Sequence, residues 1–325
     1  MPDHKNMQPV RQITVDSDSA QRRLDNFLLS QLKGLPRPRV YRMIRSGEVR
    51  VNKRRAKPGY RLVPGDVVRV PPITLFDKGS RARPRPADSR WITERVIYDD
   101  DDLLVLDKPA GLAVHGGSGI SFGAIELLRA AMPHSSCLEL AHRLDRDTSG
   151  CLLVAKRRSS LRKLHQLFRE GEVGKTYIAL LAGHWNGGPR TVDSPLYTEH
   201  RKGGERHVRV DKDGKSAMTR IEPQVRFDQA TLVNAQLLTG RTHQIRVHTE
   251  SIGHPVLGDR RYGSEDYSLE KKLGLERLFL HAAVLKFQSP SREMEITVES
   301  PLEDELQAAL ARLEGEKEKS AKQNP

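Results

Sequence analysis

Residues 142–150, with the sequence HRLDRDTSG, hold the side chains of this chain that are best suited to chemistry. Apolar residues precede and follow the segment, which predicts a polar loop between two buried strands. Asp145 lies between Arg143 and Arg146, whose permanent positive charges favour a charged carboxylate. Short polar side chains and Gly150 then predict a sharp turn. The pattern therefore indicates either a reactive carboxylate on a rigid turn or a salt-bridged surface loop.

The part of the chain from residue 92 onward must position this loop. Its sequence predicts strands at residues 96–98, 103–106, 175–181, 206–210, 219–225, 230–237, 278–287 and 294–298. A few helices lie between them, including one that Ser159 would cap and a last one over residues 301–313. Many antiparallel-looking strands with interspersed helices predict an α+β domain over residues 92–313. The charged residues 314–325 predict a disordered tail.

Residues 240–248, with the sequence GRTHQIRVH, predict the start of a helix near Thr242. The first backbone amides of a helix have no partner within the helix and attract negative charge. Together with the side chain of Arg241, those amides would form a site for an anion. The histidines at 243 and 248 lie five residues apart and not on one helix face, so no metal site is expected there.

A smaller unit precedes this domain. A helix pattern from Ser19, a second one over residues 39–45, and strand patterns at residues 49–51 and 67–70 predict a compact domain over residues 16–75. In residues 76–91, two prolines alternate with Arg81, Arg83 and Arg85, which is typical of an extended linker.

Charge is concentrated in the small unit. The chain has 325 residues, a formal net charge of +13 and a pI near 9.8, which favour a polyanionic partner. Between residues 22 and 70, 14 basic residues stand against three acidic ones, an excess of +11. A solvated basic face would not explain that concentration, so we expect RNA binding. The residues predicted on the solvent side are Arg39, Arg42, Lys53, Arg54 and Arg55.

Several protein classes are disfavoured. There is no apolar run of about 18 residues and no hydrophobic N-terminal segment, so we expect a soluble cytoplasmic protein. No amphipathic stretch combines a basic face with aromatic anchors, which argues against membrane binding. Cys137 and Cys151 fit no metal-ligand spacing, and we expect reduced, buried thiols.

The segment HRLDRDTSG resembles the signature HRLDxxTSG of the RluA-type family of RNA pseudouridine synthases. The family also has a tyrosine in a K-x-Y strand, matched by Tyr177, and a basic residue in the segment GRTHQIRVH, matched by Arg241. The stretches RLDNFL, RMIRSGEVRVNKRR and GDVVRV resemble the S4-like RNA-binding module. The resemblance covers nearly the whole chain. It implies a mostly antiparallel mixed-sheet catalytic domain behind a small S4-like domain.

The resemblance also implies an activity, the isomerisation of specific uridines to pseudouridine in 23S (large-subunit) ribosomal RNA. This reaction breaks the N1–C1′ bond and joins C5 to C1′ without a net change in composition, so no cofactor and no metal is expected. Asp145 would attack C1′ or take a ribose proton, Arg241 would pair with it, and Tyr177 would stack beside the base or accept a proton. Arg143 and Arg146 would grip the backbone of a flipped nucleotide. We expect a monomer whose partner is RNA.

Two other classes stay open at this point. A metal-dependent nuclease or glycosylase could use Asp145 and Asp147, and a chelator would inhibit it. A non-catalytic ribosome-assembly factor would tolerate loss of Asp145 without any change in RNA modification.

Overall fold

The computed structural model describes residues 6–32, 35–75, 84–117, 120–135, 137–200 and 206–323. The chain divides into two compact units, residues 1–82 and 83–325. The division falls inside the segment predicted as a linker, of which residues 76–83 lie outside the described residues. The later part of that segment is helical, with an α-helix at Pro86–Ser89 followed by a 3-10 helix at Arg90–Arg95. A proline fits the first turn of a helix because its missing N–H would have no partner there.

The described residues of the first unit form two α-helices, a short 3-10 helix and two small sheets. Its elements are β1 (Asn6–Gln8), β2 (Arg11–Thr14), α1 (Leu24–Gln31), α2 (Arg37–Ser46), β3 (Arg50–Val51), β4 (Val67–Val70) and β5 (Ile73–Leu75). Strand β1 pairs with β5, and a second sheet has the order β2-β4-β3. Apolar faces of both helices pack against the second sheet, and Leu24, Phe27, Val40 and Val68 are among the buried residues of this core.

Helix α1 starts later than the sequence predicted. Ser19 was expected to cap it, but Ser17–Ser19 form a separate 3-10 helix whose first turn is capped by the side chain of Asp16. The backbone then turns at Gln21, which has a positive φ of 62°, before the α-helix begins at Leu24. Local capping by a short acidic side chain therefore overrides the helical pattern.

The second unit is built around one large sheet. Its strands are β6 (Val96–Asp99), β7 (Leu103–Lys108), β8 (Glu139–Leu140), β9 (Ser149–Ala155), β10 (Gly174–Ala182), β11 (Arg190–Asp193), β12 (Leu196–His200), β13 (Arg206–Val210), β14 (Met218–Arg226), β15 (Ala230–Leu237), β16 (Leu280–Gln288) and β17 (Glu295–Glu299). Its helices are α3 (Pro86–Ser89), α4 (Ala124–Ala131), α5 (Arg158–Glu170), α6 (Gln244–Ser251), α7 (Ser268–Leu273) and α8 (Asp304–Gln323). The strands at the predicted positions confirm an α+β architecture.

The sheet is mixed but mostly antiparallel. Its order is β11-β14-β15-β10-β16-β9-β7-β6, with β17 added on β16 and β8 on β9, while β12 and β13 form a separate hairpin. The parallel pair is β9 with β16, where Ser149 faces His281 and Gly150 faces Ala282. Strands β7 and β9 are buried along their whole length because α4 covers one face and α5 the other. A rigid, fully buried strand therefore follows directly after the Asp145 loop.

Helix α8 continues to Gln323, so the prediction of a disordered tail after residue 313 is wrong for residues 314–323. The charged composition suggested disorder, but Glu, Lys, Ala and Gln are also good helix formers. Leu306, Ala309 and Leu313 bury one face of the helix, and Lys272 pairs with Glu316 at 2.9 Å. Within the described part of the chain, no helix is long and apolar enough to cross a membrane.

Gly150 joins the Asp145 loop to strand β9 in a conformation that favours glycine, with φ of +104°. A Cβ atom there would also collide with the backbone of Ala282 in the neighbouring strand. We expect Gly150→Ala to lower the free energy of unfolding by about 2–6 kcal/mol, since backbone strain costs about 1–3 kcal/mol and overpacking a similar amount. Urea unfolding measures this change.

Gly187→Ala is the matched control, because Gly187 has a similar φ of +92° but open space where its Cβ would lie. Only the strain of about 1–3 kcal/mol is expected there. Equal losses in the two variants would show that the contact with Ala282 does not constrain the loop.

Candidate active site

A pocket of about 720 Å³ lies on the second unit, and Asp145 is part of its wall. Residues 141–144, Thr148, α5, β10 and residues 237–246, which include the start of α6, contribute the other walls. Tyr177 and Arg241, which the sequence singled out together with Asp145, line the same pocket. The fold therefore brings together three residues that are up to 96 positions apart in the chain.

Lys108 fixes the loop that carries Asp145. Its side chain is completely buried at the end of β7, and its ammonium group donates to the carbonyl oxygens of Pro109, Leu112 and Arg146 at 2.8–3.0 Å. Burial lowers the pKa of Lys108 to about 7. Because its acceptor on the loop is a backbone carbonyl next to Asp145, this lysine positions the backbone rather than the carboxylate itself.

A buried polar chain fixes the other end of the loop. Arg277 donates to the hydroxyl of Ser149 at 2.8 Å, and that hydroxyl lies 2.9 Å from Nδ1 of His281. Nε2 of His281 lies 3.1 Å from the carbonyl oxygen of Ser300. This pattern assigns the imidazole proton to Nε2, so that Ser149 donates to Nδ1 and each group has a partner. Both ends of the Asp145 loop are therefore anchored to the sheet.

Arg246, on α6, contacts two carboxylates. Its Nε and Nη2 atoms donate to Asp259 at 2.6 and 2.7 Å, and its Nη1 atom lies 3.7 Å from Oδ2 of Asp145. Burial lowers the pKa of Arg246, but the hydrogen bonds to Asp259 outweigh it and raise that pKa above its ordinary value. Conversely, burial raises the pKa of Asp259, and the bonds from Arg246 bring it below its usual range. The guanidinium is thus a permanent cation beside Asp145.

Arg241 does not make the predicted ion pair with Asp145, and Arg246 takes that position. The Nε atom of Arg241 donates to the carbonyl oxygen of Ser216 at 3.0 Å, and its side chain is exposed. The reason is that α6 begins only at Gln244, after a left-handed residue, so Arg241 belongs to the preceding turn. The side chain of Gln244 also accepts from the backbone N–H of Arg241.

His243 is the second neighbour of Asp145 that the sequence did not single out. Its Nε2 atom lies 3.9 Å from Oδ2 of Asp145, and its Nδ1 atom lies 2.8 Å from the hydroxyl of Tyr262. That hydroxyl accepts from the backbone N–H of Val208, so its own proton goes to Nδ1 and the imidazole proton is on Nε2, towards Asp145. Burial lowers the pKa of His243 to about 4 although Asp145 opposes the shift, so the ring is neutral at pH 7.

Tyr177 supplies a neutral aromatic ring. It is buried on β10, and burial together with the charge of Asp145 raises its pKa above the ordinary value. A phenolate is therefore disfavoured, which argues against a role as proton acceptor. Among the described residues its hydroxyl has no hydrogen-bond partner, so it is available to a ligand in the pocket.

The two arginines beside Asp145 differ from the sequence expectation. Arg146 is exposed and its Nε atom bonds to Asp147 at 3.0 Å, whereas Arg143 is exposed and lines the pocket. Consecutive residues of the loop point in different directions, so within the described residues neither arginine forms an ion pair with Asp145. The positive charge beside Asp145, which we expected from Arg143 and Arg146, comes from Arg246 on α6 instead.

The basic residues predicted on the first unit are all exposed. Arg39 and Arg42 lie on the solvent face of α2, whose opposite face buries Val40, Met43 and Ile44. Lys53, Arg54 and Arg55 follow β3 in a turn with positive φ at residues 52 and 53. Arg55 donates to the carbonyl oxygen of Ser46 at the end of α2 at 3.4 Å. We call this set of five exposed residues the basic face.

The missed residues left one signal in the sequence. His243 and Arg246 lie three residues apart, which places them on one face of a helix. The sequence analysis considered only the spacing of His243 and His248, as possible metal ligands. His248 is a buried residue that bonds to Thr219 and Ser194. Asp259 and Tyr262 left no such signal, since they lie in a loop beyond the helix.

His142, the first residue of the loop segment, gives a pH-dependent prediction. Its Nε2 atom accepts from the backbone N–H of Leu153 at 2.9 Å, its ring stacks on Phe168, and burial together with the charge of Lys175 lowers its pKa to about 3. An unfolded histidine titrates near pH 6.5, so the stability contributed by the neutral ring is present above that pH and is lost as the pH falls. Between pH 7 and pH 5 the loss should be roughly 2 kcal/mol.

His142→Gln keeps an acceptor for the N–H of Leu153 but cannot titrate. Urea unfolding at pH 7 and pH 5 should therefore show a smaller loss of stability in this variant than in the wild type, by roughly 2 kcal/mol. Identical losses would mean that His142 becomes protonated in the folded protein.

Comparison with known proteins identifies the families of the two units. A family model described as RNA pseudouridylate synthase matches residues 102–251, and one described as S4 domain matches residues 22–68. Ribosomal large subunit pseudouridine synthase C of Escherichia coli (strain K12) is 48% identical over 308 residues, which cover 94% of this chain and 97% of that protein. The protein of the same name from Haemophilus ducreyi is 46% identical over 314 residues, 95% of this chain and 97% of that protein.

Solved structures show the same likeness. Human RNA Pseudouridylate Synthase Domain Containing 4 superimposes with a TM-score of 0.60 at 27% identity, over 70% of this chain and 96% of that one. Human RNA Pseudouridylate Synthase Domain Containing 1 gives 0.54 at 27% identity, over 66% and 86%. With relatives 48% identical along 94% of its length and a family model that spans the Asp145 loop, the chain belongs to the RNA pseudouridine synthase family, and it carries an S4 domain.

Proposed function

We propose that this enzyme isomerises specific uridines of large-subunit (23S) ribosomal RNA to pseudouridine, with Asp145 as its essential carboxylate. The observation that carries the proposal is a carboxylate in a pocket, held on an anchored loop beside the guanidinium of Arg246. The relatives at 46–48% identity are ribosomal large subunit pseudouridine synthases, which supports this class of RNA. Such a substrate would place the enzyme in the cytoplasm, where it would act as a monomer.

The pocket can hold a single nucleotide that has been flipped out of the stacked bases of the RNA. Breaking the N1–C1′ bond requires a group at the ribose, and Asp145 would either attack C1′ or take a ribose proton. Arg246 would hold the carboxylate in place throughout, since its other edge is fixed on Asp259. Tyr177 would lie beside the base as a neutral ring. Extruding the nucleotide costs a few kcal/mol, which contacts to the RNA backbone must offset.

Those contacts would come from both units. The basic face of the first unit is exposed and has the charge that phosphate binding requires. On the second unit, Arg143 at the pocket and Arg146 beside it would contact the nucleotides around the target. Arg241 would add a further contact as an exposed residue of the same pocket. Arg241 is thus proposed as a substrate contact.

The decisive experiment is a map of pseudouridines in ribosomal RNA from cells with and without this protein. Purified enzyme and an unmodified large-subunit transcript should then restore the missing sites. A map that does not change, together with no product on the transcript, would contradict the proposal.

Asp145→Asn keeps the shape of the side chain but removes its charge. We expect turnover to fall by at least about 10²–10⁴-fold, which corresponds to about 3–5 kcal/mol of transition-state stabilisation, with little change in RNA affinity. Asp147→Asn is the control, because Asp147 bonds to the exposed Arg146 and does not line the pocket. If Asp147→Asn were the inactive variant, the two carboxylates would have been assigned the wrong way round.

Substitutions at Arg246 and at Arg241 distinguish the roles of the two residues. Arg246→Ala leaves Asp259 buried without its partner and should cost roughly 3–5 kcal/mol of stability, together with most of the activity. Arg246→Lys keeps the charge but loses the two-pronged contact, so an intermediate effect is expected. Arg241→Ala removes an exposed side chain and should change stability by less than about 0.5 kcal/mol. Urea unfolding and turnover of all three variants test this order.

The basic face gives a prediction for the salt dependence of RNA binding. If Arg39 and Arg42 each contact one phosphate, the double change to glutamine should reduce the slope of log affinity against log salt by about 1.4–1.8. The control is the same change at Arg162 and Lys163, two exposed residues of α5 in the second unit. Equal slopes for the two double variants would remove α2 from the RNA interface.

A further inference from the structure

Lys175 is a partly buried lysine that the function described above does not use. It lies on β10, two residues before Tyr177, and it lines the same pocket. Its ammonium nitrogen is 5.8 Å from the centroid of the Phe168 ring. Among the described residues, no hydrogen bond and no ion pair involves its side chain.

Among the described residues, no carboxylate pairs with the ammonium group of Lys175. Phe168 is apolar, and the ring stacked on Phe168 belongs to His142, which is neutral and whose Nε2 atom accepts from a backbone N–H. Burial lowers the pKa of Lys175, and no carboxylate lies close enough to oppose the shift. Glu170 lines the pocket as well, but it is exposed and accepts from Gln166 at 3.0 Å. The ammonium group is therefore partly desolvated, and among the described residues only its contact with the face of the Phe168 ring offsets the loss of water.

Other lysines of the second unit have partners that offset the loss of water around their ammonium groups. Lys108 is fully buried but donates to three carbonyl oxygens. Lys156 pairs with Asp99 at 2.7 Å, and Lys286 pairs with Glu295 at 2.9 Å. A charged group that is buried without a partner is costly. A lysine kept in that condition inside a pocket indicates that its partner arrives with the ligand.

The position of Lys175 indicates which part of an RNA ligand it meets. Residues two apart on a strand are separated by roughly 6.6 Å and point to the same side of the sheet. In the proposed function Tyr177 lies beside the base, which would place Lys175 about one step along the chain of the RNA. Arg169 and His165, both exposed, line the same part of the pocket and add donors at its edge.

We propose that Lys175, supported by Arg169, forms a subsite for the backbone phosphate adjacent to the uridine that is isomerised. This inference rests on the proposed function, because it assumes that RNA enters the pocket with its target nucleotide at Asp145. The proposed partner of Lys175 is a phosphodiester of the RNA chain. If the site bound free phosphate ions instead, replacing one particular RNA linkage by an uncharged one would not change the KM for RNA.

The test uses short fragments of ribosomal RNA that contain the mapped target uridine. One fragment is unmodified, and two others carry a single uncharged methylphosphonate linkage on the 5′ or the 3′ side of that uridine. The enzymes are wild type, Lys175→Met, Lys175→Arg and the control Lys163→Met, which removes an exposed lysine of α5 outside the pocket. KM, kcat and thermal unfolding are measured for each.

On the unmodified fragment, Lys175→Met should raise KM about tenfold or more with kcat changed less than about threefold, since a hydrogen bond to a charged group is lost. Lys175→Arg should recover most of the loss, and Lys163→Met should behave as wild type. One of the two methylphosphonates should raise the KM of the wild type by a similar factor. The same methylphosphonate should not raise the KM of Lys175→Met any further. The Tm of Lys175→Met should not fall, because an uncompensated charge has been removed.

Three outcomes would overturn the subsite. The first is an unchanged KM in Lys175→Met. The second is an increase in KM from Lys175→Met that multiplies with the increase from each of the two methylphosphonates, as independent effects would. The third is a Tm of Lys175→Met that is lowered by several degrees. The last would identify a structural role. A wild-type enzyme that forms no pseudouridine in the unmodified fragment would instead contradict the proposed function, so the two failures can be told apart.

Discussion

The contact of Arg246 with two carboxylates is the interaction on which the geometry of this site depends. Asp259 is completely buried, and besides the two bonds from Arg246 it accepts the backbone N–H groups of Arg261 and Tyr262. A buried charge pair is stable only when its remaining hydrogen-bonding capacity is satisfied, and here it is. Asp259 thereby fixes the Nε–Nη2 edge of the guanidinium and leaves Nη1 directed at Asp145. The ring of Tyr262, 5.0 Å from the guanidinium carbon, limits its movement further.

The other half of the site is fixed by the sheet rather than by charge. Asp145 lies on a loop whose backbone is bound by Lys108 and whose last residues enter the parallel pairing of β9 with β16. Because His281 and Ser149 face each other across that pairing, their hydrogen bond ties the loop to the far end of the chain. The two halves meet at a distance of 3.7 Å between Arg246 and Asp145. A shift of either half would break that contact, so the position of Asp145 beside Arg246 depends on the stability of the sheet.

Periodicity and turn residues were sufficient to predict the α+β class, most strands of the large sheet and the polar loop at Asp145. They were insufficient for the partner of Asp145. The direction of Arg241 and Arg246 depends on where α6 begins, and that is decided by His243 in the left-handed region at φ of 53°. A non-glycine residue there is uncommon and is held by tertiary contacts, here with Tyr262 and Asp145, that no local pattern contains. The same limit applies to the tail, where contacts of Leu306 and Leu313 decide in favour of a helix.

The charges of the pocket constrain how RNA can lie in it. Asp145 and Asp259 share the single guanidinium of Arg246, and His243 is neutral, so the groups in direct contact with Asp145 do not fully balance the two carboxylates. A phosphate beside Asp145 would be repelled, whereas a ribose, which has no charge, would not. Lys175 lies where no carboxylate influences it, on the same strand as Tyr177. A nucleotide bound as proposed, with its sugar at Asp145 and its base at Tyr177, would therefore direct its phosphate away from the carboxylates. Lys175 and Arg169 line the pocket and are the cations that we propose for that phosphate.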